Sequence, residues 1–335
     1  MLQKSLNFNN FPALLQNYLK TFFYFKDEEV NTTVLFSSIA AITGNSTRIK
    51  IKDRALIYPN LQTALISPSG YGRTTYINQN QLSVIKIPYK RQTGDLPPPT
   101  ITFARLKELR DYTKTNNGNI YINSDGVLTY LFTKIPTTRL DFFKKGIEGE
   151  EYYYNNSLHS IKNLCLNIIG SCGDYFFHKT LKSKKCSNLN FCFLNYCKWD
   201  WDYAKLNYLT TEEECVKKLA TRNEIKNLIR QSIEHCKGNV FNLTPEAYEL
   251  FFDYESQINT LLRLKKKHII SNFLINAPQF VLKIAFIFHI LSLSSLKPCL
   301  VSAENLKLAI DYAQHKISSL NDLLNDRNLK QEDRQ

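Results

Sequence analysis

Residues 63–66, Thr-Ala-Leu-Ile, form a short apolar run that breaks directly into Ser67-Pro68-Ser69-Gly70-Tyr71-Gly72-Arg73-Thr74-Thr75. A buried strand, a tight turn and a helix read in that order from such a pattern. The alternation recurs. A helix over 102–115 places Phe103, Leu106, Leu109 and Tyr112 on one face. A strand over 119–124 ends at Asp125. Another, over 164–169, ends in Gly170-Ser171-Cys172-Gly173-Asp174 and precedes a helix over 174–182 and a strand over 189–195. Strands alternating with helices predict a mainly parallel sheet covered on both faces, an α/β class.

The flanks read differently. Helical spacing predicts helices over 10–25 and over 32–43, the second capped by Asn31 and ended by Gly44. Residues 81–100 read as loop closing on Pro97, Pro98 and Pro99, and 136–160 as a polar, tyrosine-rich surface excursion. From about 206 the chain turns helical. Thr244-Pro245-Glu246 offers a cap with proline in the first turn, Pro278 opens another helix, and Ser302 caps the last. The expected organisation is N-terminal helices over 1–50, an α/β core over 51–205, a helical C-terminal domain over 206–328 and a frayed tail over 329–335, with no internal repeat.

A chain of 335 residues has room for two domains with substantial cores. Its 43% hydrophobic and 22% charged content excludes collagen-like and disordered classes. A net charge of +13 and a pI near 9.2 favour a polyanionic partner, nucleic acid first, although the charge is dispersed. The longest apolar stretch, 280–296, contains Lys283 and His289 and is short for a membrane span, so it reads as a buried helix. With no secretory pattern at the start, the expectation is a cytoplasmic protein without membrane contact. None of the eight cysteines (165, 172, 186, 192, 197, 215, 236 and 299) falls in a CxxC pair. Buried reduced thiols account for them, with zinc at the 165–215 group as the alternative.

Segment 67–74 sits where G-x-x-x-x-G-K-[ST] belongs, after a strand and before a helix. Glycines there let backbone N–H groups converge on phosphates, a lysine reaches the β/γ-phosphates and a hydroxyl holds Mg²⁺. Gly72 and Thr74 match, whereas Ser67 replaces the leading glycine and Arg73 the lysine. A generic strand–turn–helix fits the segment as well. Arg73 keeps the charge but is longer and planar, so nucleotide binding can survive while γ-phosphate alignment fails. A companion strand should end in two acids, one for Mg²⁺ and one for water. The strand ending Asn123-Ser124-Asp125-Gly126 offers only Asp125. Either Gly126 replaces the base or Ser124 replaces the metal acid, and a plain turn aspartate is the alternative.

The order of these elements over about residues 11–325 resembles a family of P-loop ATPase domains of uncharacterised function from plasmids, phages and integrative elements, which are primase- or helicase-associated. The resemblance is carried by Phe11-Pro12, Tyr58-Pro59-Asn60-Leu61, Ser67 to Thr74, the proline-rich loop before Thr100, the strand to Asp125, Asn167-Ile168-Ile169-Gly170-Ser171, Phe241 to Ala247, and Val281 to His289. It implies a RecA/AAA-like core with ATP and Mg²⁺ as cofactors. Ser69, Gly70, Gly72, Arg73, Thr74 and Thr75 would contact nucleotide, Thr74 and Asp125 would hold Mg²⁺, and Ser171 would be a sensor. Implied partners are DNA, further copies of the chain, and a primase or replication protein in trans. The family also tends to carry an arginine before the strand at 189–195, where this chain has Cys186-Ser187-Asn188-Leu189-Asn190-Phe191. Departures in three roles imply weak or lost hydrolysis, or a dead DNA-binding or adaptor scaffold.

The basic run Arg263-Leu264-Lys265-Lys266-Lys267-His268 fits either phosphate-backbone contact or a solvated helix end complementing the dipole. Lys182, Lys184 and Lys185 form a second basic candidate. Trp199-Asp200-Trp201 suits base stacking or domain packing, the latter preferred. Asp200 and Asp202 read as surface residues, and His159, His178 and His289 show no ligand spacing.

Overall fold

The computed structural model describes residues 6–22, 27–52, 56–66, 118–123, 128, 131, 137–153, 160–182, 194–198, 211–264, 269–292 and 299–325. The predicted helix over 102–115 and the loop over 81–100 lie outside these residues. The fold is α/β with mostly parallel sheets and a helical C-terminal part.

Four parallel strands make the main sheet. They are β2 (Gln62–Ile66), β3 (Asn119–Asn123), β6 (Cys165–Cys172) and β7 (Asn195–Lys198), in spatial order β3-β6-β2-β7. All five residues of β2 and all eight of β6 are buried, as expected of parallel strands covered on both faces. Strand β6 runs three residues past the predicted end because Gly170, Ser171 and Cys172 pair with Ala64, Leu65 and Ile66. Strand β7 begins at Asn195, later than the predicted 189–195, of which 189–193 lie outside the described residues.

Helices cover the faces. After α1 (Ala13–Lys20), α2 (Glu28–Thr43) lays Val30 and Val34 on Leu65, Ile169 and Cys197. Its cap is Asp27, not Asn31. The Asp27 carboxylate accepts from the N–H groups of Glu29 and Val30, both at 3.0 Å. A carboxylate there, followed by Glu28 and Glu29, complements the helix dipole, and Asn31 is buried one turn in.

The predicted surface excursion over 136–160 is also corrected. Residues Thr137–Glu148 form α3, which buries Phe142, Phe143 and Ile147, and an antiparallel pair follows, β4 (Tyr152–Tyr153) with β5 (Ser160–Ile161). Its apolar residues recur at helical spacing, a signal that the surrounding tyrosines and charges mask. Helix α4 (Asp174–Lys182) matches its prediction.

The C-terminal part holds α5 (Glu212–Cys236), α6 (Pro245–Leu264), α7 (Ile269–Leu291) and α8 (Ala303–Asn325). Thr244 and Ser302 cap α6 and α8 through their hydroxyls, each at 3.3 Å. Pro278 opens no helix but lies inside α7. The bond lost at a mid-helix proline costs roughly 3 kcal/mol, and burial of the apolar run 280–291 outweighs it. By length and composition α7 could cross a membrane, yet 78% of its most apolar window is buried inside the fold. It is therefore the core helix read from sequence.

A second parallel sheet was not foreseen. Arg48–Ile49 (β1), Val240–Leu243 (β8) and Leu300–Val301 (β9) pair in the order β1-β8-β9. It fastens the segment before the main sheet to the C-terminal helices.

Candidate functional site

The main-sheet strands all run the same way, so their carboxyl ends share one edge. Ile66 closes β2 between Cys172 of β6 and Lys198 of β7. The segment starting at Ser67 therefore leaves the sheet from an interior strand. Asn123, the end of β3, pairs with Ile169, on the far side of β6 from β2. Strands two places apart lie roughly 10 Å from each other, and β6 fills the space between β2 and β3, running on to Cys172 beside Ile66. From β2 the chain goes to β3 on one side and, after β6, to β7 on the other. Ligands of open α/β sheets bind at such a reversal, outside the carboxyl ends of the strands.

Of the residues proposed from sequence, Ser69, Gly70, Gly72, Arg73, Thr74, Thr75, Asp125, Lys184, Lys185, Lys265, Lys266 and Lys267 lie outside the described residues, as do His159, Trp199, Asp200, Trp201 and Asp202. Ser171 is described. It is buried next to the end of β6, and strand alternation puts it on the α2 face with Ile169. Arg263 is exposed in the last turn of α6. His178 and His289 are buried, and His289 packs edge-on to Phe241 at 5.3 Å. Among the described residues no three His, Cys, Asp or Glu side chains gather as a metal site would need, and the six described thiols are free.

Sequence reasoning missed Lys198. Its ammonium lies 3.8 Å from the Asp174 carboxylate, so an ion pair spans the end of β2 from β7 to the start of α4. Lys198 is partly exposed, and such a pair is worth about 0–1 kcal/mol, weak enough for an anion to displace. A lysine closing a predicted strand was the available signal, hidden because the strand was placed too early.

Two buried polar assemblies fix the sheet beneath this edge. In the first, Asn195 Nδ2 donates to Thr63 Oγ1 at 2.9 Å and to the Thr33 carbonyl at 3.2 Å, and Tyr312 donates to Asn195 Oδ1 at 2.9 Å. Beside it, the fully buried Lys316 ammonium donates to Glu29 and to the Tyr196 carbonyl, both at 2.6 Å, and to Thr33 Oγ1 at 3.2 Å. His315 approaches the other Glu29 oxygen at 3.3 Å. Burial opposes charge on both partners, yet Lys316 and then His315 hold the Glu29 carboxyl well below the usual carboxylate range. Glu29 in turn holds Lys316 above the usual lysine value despite its burial.

The second assembly lies just before β2. Asn60 Nδ2 donates to the carbonyls of Gly146, Ile147 and Leu166 at 3.0–3.1 Å, and Asn60 Oδ1 accepts from the buried Lys283 ammonium at 2.8 Å. Asn167 Oδ1 accepts from Leu61 N–H at 3.0 Å, and Gln62 donates to the Leu166 carbonyl. Asn60 thus ties β2, α3, β6 and α7 together.

Comparison with known proteins found no matching family model and no matching curated protein.

Proposed function

We propose that this chain is a degenerate P-loop ATPase- or helicase-like protein serving DNA replication of a mobile element, binding ATP with Mg²⁺ and hydrolysing it weakly or not at all. The observation that carries the reading is the exit of segment 67–75 from the carboxyl end of interior strand β2, at the reversal of strand order. In this reading backbone N–H groups of 69–75 cradle the phosphates, Thr74 and Asp125 hold Mg²⁺, and Ser171 senses nucleotide from β6. Lys198 stands beside the same edge. Mg²⁺ supplies charge neutralisation of the phosphates. A cytoplasmic setting, self-association and a primase or replication protein in trans accompany the reading. Ser67, Arg73, the single acid Asp125 and the arginine-free stretch 186–191 favour a second form of it, a catalytically dead DNA-binding or adaptor scaffold on the same fold.

Isothermal titration of ATP with Mg²⁺ tests the proposal. Wild type is expected to bind, and Thr74→Ala to bind at least about tenfold more weakly, a loss of about 1.4 kcal/mol. Absence of heat in wild type would refute nucleotide binding. A double variant, Arg73→Lys with Gly126→Glu, is expected to gain ATP turnover if the wild type is a decayed enzyme, and to stay inactive if the scaffold form holds.

A further inference from the structure

Four parallel strands reach the carboxyl edge of the main sheet, and their last residues are Ile66, Asn123, Cys172 and Lys198. Lys198 is the one cation among these strand ends. It stands in register with Ile66, the residue from which segment 67–75 departs, one strand spacing of about 4.8 Å away. On the other flank of Ile66 the register partner is Cys172, a buried thiol.

The Lys198 side chain has a defined direction. Cys197 faces α2 together with Leu65 and Ile169, so strand alternation turns Lys198 to the opposite face, where Tyr196 stacks on Phe177 of α4 at 6.3 Å. Asp174 opens α4 and lies 3.8 Å from the ammonium, beyond hydrogen-bond length. Among the described residues no acceptor comes closer to it. The side chain is 41% exposed. The lysines that hold the fold together are treated differently, since Lys316 bonds Glu29 at 2.6 Å and Lys283 bonds Asn60 at 2.8 Å. Lys198 therefore presents three N–H donors at the sheet edge that the fold itself does not use.

We propose that the Lys198 ammonium contacts phosphate oxygens of the bound nucleoside triphosphate, supplying the point charge that the phosphate segment lacks at position 73. The inference rests on the nucleotide binding proposed above and adds to it the group that answers the phosphate charge. Arg73 offers a planar fork, whereas a lysine offers the compact charge that a phosphate loop uses, and N–H bonds from an ammonium to phosphate are about twice as strong as neutral ones. Asp174 is then a competitor. Its carboxylate holds the ammonium loosely when no phosphate is bound and releases it to the ligand. A nucleic-acid strand fits less well, because its phosphates recur along a line and the neighbouring strand ends, Ile66, Asn123 and Cys172, offer no second cation.

Titration of the full chain with ATP and Mg²⁺ tests the assignment on two variants. Lys198→Met should weaken ATP binding about tenfold. Asp174→Asn removes the competing carboxylate and should bind ATP at least as tightly as wild type, up to about fivefold tighter. An ion pair that served only the fold would be broken by either variant, so weakening by both overturns the inference. Lys198→Met should melt within about 2 °C of wild type, because so exposed a pair contributes little. A larger drop would mark the lysine as structural and overturn the inference as well. If Thr74→Ala weakens ATP binding and Lys198→Met does not, this inference fails while nucleotide binding stands. A wild type that binds no ATP overturns both. A labelled 20-nucleotide strand, followed by fluorescence anisotropy, should bind Lys198→Met and wild type alike. Loss of strand binding with ATP affinity unchanged would assign Lys198 to nucleic acid and overturn the proposal.

Discussion

Glu29→Gln is expected to lower the unfolding free energy by about 3 kcal/mol in urea denaturation, with an unchanged m-value. The substitution leaves the Lys316 ammonium fully buried without its anion. Removing one partner of a buried pair costs about 3–5 kcal/mol, and the lower end applies because Glu29 keeps part of its surface. Lys316→Met should cost less, since the remaining Glu29 still reaches solvent and His315. That asymmetry is the check on the mechanism. Equal losses would mean that packing, not charge, dominates. The acid dependence has a defined sign. The folded Glu29 pKa is depressed, so its contribution is complete above the unfolded carboxyl value of about 4.3 and is lost progressively as pH falls from there through the depressed folded value. The stability gap between wild type and Glu29→Gln should therefore start to narrow below about pH 4 and close only at far more acid pH, once the depressed folded value is passed.

Asn60→Leu should be at least as damaging, at about 3–4 kcal/mol, by the same measurement. It strips Asn60's donor from the buried Gly146 and Ile147 carbonyls, one of two donors from the Leu166 carbonyl, and an acceptor from the Lys283 ammonium in one step. Adding Lys283→Met should recover part of the loss, giving a coupling energy above about 1 kcal/mol in a double-mutant cycle. Additive losses would show that the pair is not energetically linked. Asn60 enters β2 in the segment Tyr58-Pro59-Asn60-Leu61. Sequence marked that segment as a landmark, and the structure gives it a mechanical role at the root of the candidate phosphate strand.

Much of the local structure was legible. Apolar runs at 63–66 and 119–123 became β2 and β3, and the caps Thr244 and Ser302 started helices where their hydroxyls said they would. Two of the misreadings share a cause. Asn31 and Pro278 carry the residue types of a helix start, yet each sits inside a helix whose surroundings are buried. Burial outweighed the local preference at both positions. The candidate site was half legible. Its departures, Ser67, Arg73 and Gly126 or Ser124, follow from residue types alone. Lys198 required the true start of β7.

From sequence alone come the α/β class, the basic charge, the strand at 63–66 and the departures of segment 67–74 from the phosphate-loop pattern, because each is read from residue types along the chain. The order β3-β6-β2-β7, the sheet β1-β8-β9 and the partners of the buried lysines came only with the tertiary structure. Glu29 and Lys316 are 287 positions apart, and Asn60 and Lys283 are 223. Desolvation forces a buried charge to find a partner, but which partner is within reach is set by how the helices pack, and no local pattern encodes that.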